Sequence, residues 1–295
     1  MKVLITGGGG FIGRNLKEQL GSGFQVEAPS HLELDLLDED AVQSYLSVGC
    51  FDAVMHTATE NATRNAKRDV TKVLHNNCRM FFNLARCCDK FGKMIYFGSG
   101  AEYDARYYRA KMDENYFDSH IPVDDYGFSK YIMAKHIDNC QNIFDLRLFG
   151  VFGKYEDWQI RFISNACCKA VWDLPITIRQ NVVFDYLWVD DLVNITKWFI
   201  CSEPKHRHYN VCAGRTYDLR TLAEKVLAVS GKNLDVVIAR AGLGKEYSGD
   251  NSLLLAEMGE YPFRDMDSCI RDLYGWYANK KQEIDPLELL AEHYR

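Results

Sequence analysis

Short apolar runs alternate with amphipathic stretches from the start of the chain. Val3–Thr6 is a continuous apolar run that reads as a buried strand, and Phe11–Leu20 carries its apolar positions at helical spacing. The alternation continues with a strand at Phe24–Ala28, a helix at Glu39–Val48 and a strand at Phe51–His56. A long helix is predicted over Val70–Phe91, then a strand at Lys93–Gly98, a helix at Asp125–Asn139 and a strand at Phe144–Leu148. This βαβα rhythm predicts an α/β fold, a doubly wound parallel sheet with helices on both faces. Active sites in such sheets lie at the carboxyl ends of the strands.

After Gly153 the rhythm loosens. A helix at Gln159–Val171 precedes short strands at Ile176–Ile178 and Asp185–Trp188, and helices follow at Leu192–Cys201, Leu219–Ser230 and Met266–Ala278. Residues 1–153 read as a nucleotide-binding domain and 154–295 mainly as a smaller lobe that closes over it. A segment near 182–212 is expected to return to the first sheet. No repeat, low-complexity tract or Pro-rich hinge interrupts the chain.

The first strand runs straight into Thr6-Gly7-Gly8-Gly9-Gly10-Phe11-Ile12-Gly13 and then into the first helix. Glycines there let the backbone turn sharply and approach a phosphate, and the helix N-terminus supplies free N–H groups. The spacing fits Gly8-x-Gly10-x-x-Gly13 and equally Gly7-x-x-Gly10-x-x-Gly13. Strand before and helix after make this a Rossmann-type dinucleotide turn rather than a bland loop.

Composition narrows the class. With 295 residues, 47% of them hydrophobic, the chain is long enough for a full core. A net charge of -6 argues against a general binder of nucleic acid or of anionic membranes. No run approaches membrane-span length, and no signal peptide precedes the first strand. The ten cysteines include no Cys-x-x-Cys pair and the eight histidines lack metal spacing, so buried thiols in a reducing cytoplasm are expected, with no metal.

Two further signals carry chemistry. Tyr126-Gly-Phe-Ser-Lys130 puts a tyrosine and a lysine four apart on one helix face. A nearby ammonium stabilises phenolate and brings a tyrosine toward useful acid–base chemistry. The apolar strand Met94–Phe97 ends at Ser99, whose hydroxyl is aimed to orient a substrate carbonyl or hydroxyl beside Tyr126.

In this order, the motifs resemble the extended short-chain dehydrogenase/reductase family of nucleotide-sugar epimerases, dehydratases and 4-keto-sugar reductases. The resemblance covers nearly the whole chain. It implies that Ser99, Tyr126 and Lys130 form the catalytic set. It implies that NAD(P)(H) is held by Gly7, Gly10, Phe11, Ile12, Gly13, Asp35, Leu36, Thr57, Ala58, Asn77, Tyr126 and Lys130. Asp185-Tyr-Leu-Trp-Val-Asp190-Asp191 and Met258-Gly-Glu-Tyr-Pro262-Phe resemble its later motifs. A homodimer through the helices at Val70–Phe91 and Asp125–Asn139 is implied too.

Departures from the pattern sharpen the expectation. Where the dehydratases carry an Asp-Glu pair this chain has Gly100-Ala101, which disfavours dehydration. A cysteine that serves epimerisation in the GDP-fucose synthase branch is here Ala101. The arginine that meets the nucleotide phosphate is Phe184, and an asparagine near the same diphosphate is Gly150. Arg161 or Arg179 are the candidate replacements. Tyr103, Tyr107, Trp158 and Trp188 are candidate pocket aromatics. Ser30 and His31, with Glu27 lying back within its strand, lean toward NADP. The expected reaction is 4-keto reduction or 4-epimerisation of a nucleotide-activated sugar. The alternatives are reduction of a smaller non-nucleotide ketone, or a non-catalytic NAD(P)-binding sensor or scaffold.

Overall fold

The computed structural model describes residues 1–61 and 69–290. The first half alternates strand and helix: β1 Lys2–Thr6, α1 Phe11–Leu20, β2 Gln25–Glu27, α2 Glu39–Gly49, β3 Phe51–His56, α3 Val73–Ala85, β4 Phe91–Ser99, α4 Asp125–Ile137 and β5 Ile143–Leu148. The second half contains β6 Gly150–Phe152, α5 Phe162–Val171, β7 Ile176–Asn181, β8 Val183–Trp188, α6 Val189–Cys201, β9 His208–Val211 and β10 Thr216–Asp218. It ends with α7 Leu219–Ser230, β11 Val236–Leu243, α8 Ser252–Met258, α9 Met266–Asn279 and α10 Pro286–Leu290.

The central sheet has the order β2-β1-β3-β4-β5-β9 with every pairing parallel. Successive side chains on a strand face opposite ways, and the two faces bury different sets. Val3, Ile5, Met55, Ile95 and Phe97 point to one face and pack with Leu16 of α1 and Phe199 of α6. Leu4, Val54, Met94 and Tyr96 point to the other, against Val42, Phe81 and Met133 of α2, α3 and α4. Both faces being apolar explains why these strands read as continuous runs. Strand order reverses between β1 and β3, whose carboxyl ends meet at the pair Thr6 and His56. A crevice opens there.

The predicted helix over Val70–Phe91 is three pieces. Asp69 caps a 3-10 turn at Val70–Lys72, α3 follows, and a second 3-10 turn spans Cys88–Lys90. Phe91 belongs to β4, where it pairs with Phe51 and is buried. An apolar residue in helical register serves equally well as a strand start, and the sheet claims it.

β9, near the end of the 182–212 segment, lies beside β5 in the central sheet. β8 instead pairs with β6 and antiparallel with β10 in a second, three-stranded sheet. β11, which the sequence pattern does not announce, pairs parallel with β7. A third apolar cluster joins α5, α7 and α9 through Ile163, Val226 and Ile270.

Candidate active site

The glycine turn has strict steric requirements at its two ends. Gly7 has φ +72, and a Cβ there would lie 2.6 Å from the Ala58 nitrogen. A Cβ on Gly13 would lie 2.3 Å from the Gly7 carbonyl oxygen. Gly9 faces open space, whereas a Cβ on Gly8 would lie 2.9 Å from the Ala28 Cβ, so both glycine spacings fit the turn and only position 9 is free to vary. Gly10 is the N-cap of α1 and offers no side chain to the first-turn N–H groups. Those donors border a cleft of about 1310 Å³ that Gly7 through Gly13 line. The cradle fits a pyrophosphate.

Ser30, His31, Asp35, Leu36, Thr57 and Ala58 line the same cleft. Thr57 is fixed by its hydroxyl, which donates to the Thr6 carbonyl at 2.7 Å. His56 lies behind it, 2.8 Å from the Thr6 hydroxyl. Burial and the Lys130 charge push the His56 pKa down to about 3, so it stays neutral. Glu27 is tied to Lys2 at 2.8 Å and to Tyr45 at 3.2 Å, outside the lining. Glu33, which the motif reading passed over, accepts from the Ser30 nitrogen at 2.7 Å and lines the cleft. Asn77 is buried outside the lining, where its amide pins the backbone of Glu60 at 2.7 and 2.9 Å.

Ser99, Tyr126 and Lys130 meet at the far side of this cleft. Ser99 ends β4 and caps a 3-10 turn at Gly100–Tyr103. Its hydroxyl accepts from the Ala101 nitrogen at 3.1 Å, and Glu102 reaches back to the Ser99 nitrogen at 3.0 Å. Asp124 caps α4, accepting from the Gly127 nitrogen at 2.8 Å, and this fixes Tyr126 in the first turn of the helix. Lys130 is buried; its ammonium donates to the Phe97 carbonyl at 2.8 Å and stands 5.7 Å from the centre of the Tyr126 ring. Burial pulls the Lys130 pKa down to about 8, against the pull of Glu102 and Asp145. Burial raises the Tyr126 pKa, while the Ser99 hydroxyl and the Arg161 charge oppose that rise.

A profile of the NAD dependent epimerase/dehydratase family matches residues 3–212, more than half of the chain. This chain belongs to that family. Solved structures share the fold. A GDP-mannoheptose C4 reductase from Campylobacter jejuni with NADP bound is 19% identical with a TM-score of 0.80, covering 94% of this chain and 98% of that one. A UDP-glucose 4-epimerase from Thermotoga maritima with UDP-glucose is 19% identical with a TM-score of 0.81, covering 95% and 99%. A GDP-L-fucose synthetase from Naegleria fowleri is 14% identical with a TM-score of 0.82, covering 95% and 94%. The family is NAD(P)-dependent, in agreement with the cradle above.

The other half of the cleft in this family member is aromatic. Phe184 lines it, with Phe149, Tyr186 and Tyr247. Arg161 lines it as well, whereas Arg179 is an exposed residue of β7 outside the lining. Tyr103 and Trp158 also stand apart. The 3-10 turn swings Tyr103 into the core, where its hydroxyl donates to Asn210 at 2.6 Å, and Trp158 packs on the third apolar cluster. The small residues are enforced: a Cβ on Gly150 would lie 2.7 Å from the Asp185 carbonyl, and one on Gly100 would lie 2.6 Å from the Tyr247 hydroxyl.

Sequence reasoning missed Glu156 and Tyr247. Glu156 is buried at the cleft, accepts from the Ser164 hydroxyl at 2.6 Å, and has its pKa pushed up to about 8 by burial. Neither residue lies in a spaced motif, so no local signal announced it.

Proposed function

We propose that this protein transfers hydride at a carbonyl or secondary alcohol of a nucleotide-activated sugar, by 4-keto reduction or 4-epimerisation. The observation that carries this is the convergence of Ser99, Tyr126 and Lys130 on the cleft that the glycine turn opens. The fold neighbours described as reductases and epimerases of GDP- and UDP-sugars support the substrate class.

Gly7, Gly10 and Gly13 with the first turn of α1 would hold the dinucleotide's pyrophosphate, and Thr57 and Ala58 would flank it. When bound, its nicotinamide gives or takes a hydride. Tyr126 moves the proton on the reacting oxygen: it gives one in reduction and takes one in oxidation. Ser99 orients that oxygen, and Lys130 favours the phenolate by its charge. Gly100 and Ala101 carry no group able to exchange a proton, which supports ketone–alcohol chemistry over dehydration.

NADP is the proposed cofactor, because Glu27 is engaged away from the cleft while Ser30 and His31 border it. A cytoplasmic setting is supported by ten free cysteines; no described helix is long and apolar enough to cross a membrane. A homodimer through α3 and α4 belongs to the same reading.

Arg161 is the proposed diphosphate contact in place of the residue that Phe184 supplants. Arg161→Ala should weaken GDP or UDP binding by about tenfold in calorimetry, the scale of one charge-assisted contact. Arg179→Ala should leave it unchanged. Equal binding by both variants and the parent removes Arg161 from the site. The aromatic wall around Phe184 favours a second reading, a smaller ketone, and no detectable nucleotide binding by the parent protein would select it.

A further inference from the structure

The loop from Gly153 to Arg161 leaves the carboxyl end of β6 and is held between two helices. On one side the Asn15 amide of α1 donates to the Lys154 carbonyl at 2.9 Å, and the Tyr155 hydroxyl donates to Glu18. On the other side the Asn165 amide of α5 donates to the Trp158 carbonyl at 3.0 Å. Glycine permits the close exit from the strand, since a Cβ on Gly153 would lie 2.3 Å from the Val189 side chain. Glu156 sits between these anchors, only 7% exposed, and lines the cleft.

Its two carboxyl oxygens are treated differently. Oε2 accepts from the Ser164 hydroxyl of α5 at 2.6 Å. Oε1 has no hydrogen-bond partner among the described residues, yet it is not sealed from solvent. A deeply buried carboxyl left half satisfied costs stability, and the fold recovers nothing for it from its own side chains. Because the loop is pinned on both sides, this oxygen is already fixed for a ligand and needs little further ordering.

The chemistry of Oε1 selects the ligand. Burial pushes the Glu156 pKa up to about 8, so at neutral pH the group holds its proton. With Ser164 donating to Oε2, that proton sits on Oε1, which then offers one donor and one acceptor. A hydroxyl complements both. An ammonium needs the ionised carboxylate, which burial opposes, and a phosphate oxygen accepts but returns no proton. Arg161, at the end of the same loop, is exposed at the cleft while Glu156 is buried. The loop thus carries a cation outside and a neutral carboxyl deeper in, the order of diphosphate and sugar ring in a nucleotide sugar.

We propose that Glu156 is a specificity-determining residue whose Oε1 hydrogen-bonds one hydroxyl of the substrate's sugar ring and so selects sugars that carry oxygen at that position. The inference rests on the reading of the substrate as a nucleotide-activated sugar and adds a sugar contact to it. A site built to bond a hydroxyl rejects the analogue that lacks it, because the buried group of the site is then left unpaired.

The test is calorimetry on protein saturated with NADP+, titrated with UDP, UDP-glucose, GDP and GDP-mannose, then with monodeoxy analogues of whichever sugar binds; NADP+ is titrated separately. Glu156→Leu should weaken binding of the nucleotide sugar about tenfold and leave the bare nucleotide and NADP+ unchanged. Glu156→Gln keeps a donor and an acceptor and should bind the sugar within about threefold of the parent. One deoxy analogue should lose about tenfold against the parent and nothing further against Glu156→Leu, a coupling that a purely structural carboxyl does not produce. Glu156→Ala serves if the leucine variant does not fold. Unchanged sugar affinity in the folded variants overturns the inference, and so does an equal loss for the bare nucleotide or for NADP+. A parent that binds UDP or GDP but shows no coupling to any sugar hydroxyl overturns it while the nucleotide site stands. A parent that binds neither nucleotide removes the nucleotide-sugar reading, and this inference with it.

Discussion

The two halves of the cleft are built in opposite ways. The nucleotide half is backbone: a turn of glycines, the bare first turn of α1 and the loop at Thr57-Ala58, most of it from adjacent residues. The substrate half is side chain: Phe149, Arg161, Phe184, Tyr186 and Tyr247, gathered from β8 and the loops around it. A backbone cradle recognises a phosphate that every dinucleotide shares. A side-chain wall can be rebuilt residue by residue, so specificity concentrates there. Ser99, Tyr126 and Lys130 stand at the seam between them.

That division can be broken at either side or at the seam. The largest effect is expected at the seam. Tyr126→Phe should lower turnover by about 10²–10⁴-fold, the usual share of a positioned proton donor, with cofactor affinity largely retained in a fluorescence titration. Full activity in that variant would remove Tyr126 from the chemistry. Next comes the cradle. Gly13→Ala puts a Cβ against the Gly7 carbonyl and should weaken cofactor binding about tenfold or more, with about 1–3 kcal/mol of strain. Gly9→Ala meets open space and should bind as the parent does. Equal losses in the two would mean that the turn geometry is not what binds.

On the substrate side, Gly100→Ala should lower turnover about three- to tenfold by displacing the Tyr247 phenol, at unchanged cofactor affinity. A loss of cofactor affinity instead would join the two halves that the comparison separates. The smallest effect concerns Glu156. Its folded pKa of about 8 lies above the ordinary value of 4.5, so the folded state holds the proton more tightly. Its contribution to stability is present below about 4.5 and is lost as pH rises toward about 8. Glu156→Gln should therefore gain Tm over the parent between those limits, by a few degrees (roughly 2–4 °C per kcal/mol). A constant Tm difference across the window would contradict a buried, proton-holding carboxyl.

The same contrast explains what the sequence reveals. The cradle is legible because chain neighbours make it: strand, glycines and helix follow one another from Lys2 to Leu20. Tyr126 and Lys130 are legible because a helix places residues four apart on one face. The substrate wall is not, because β8 and the residues near Tyr247 reach it only through the tertiary fold. Tyr103 shows the converse. Its place after β4 suggests a pocket residue, but the capping box between Ser99 and Glu102 turns the chain and sends its ring into the core. Asn77 likewise serves the loop at Glu60 rather than facing the cleft. The helix expected over Val70–Phe91 yields its last residue to β4, since helical and strand registers share that apolar position.

The central claim is that a nucleotide on the glycine turn delivers hydride to an oxygen-bearing carbon beside Tyr126. Its most direct test offers the protein NADPH deuterated at the nicotinamide C4, with a panel of 4-keto GDP- and UDP-sugars, and reads the products by mass spectrometry. One deuterium should appear in a reduced sugar with the parent protein and none with Tyr126→Phe. Tight NADPH binding with no deuterium transferred to any sugar in the panel would contradict it.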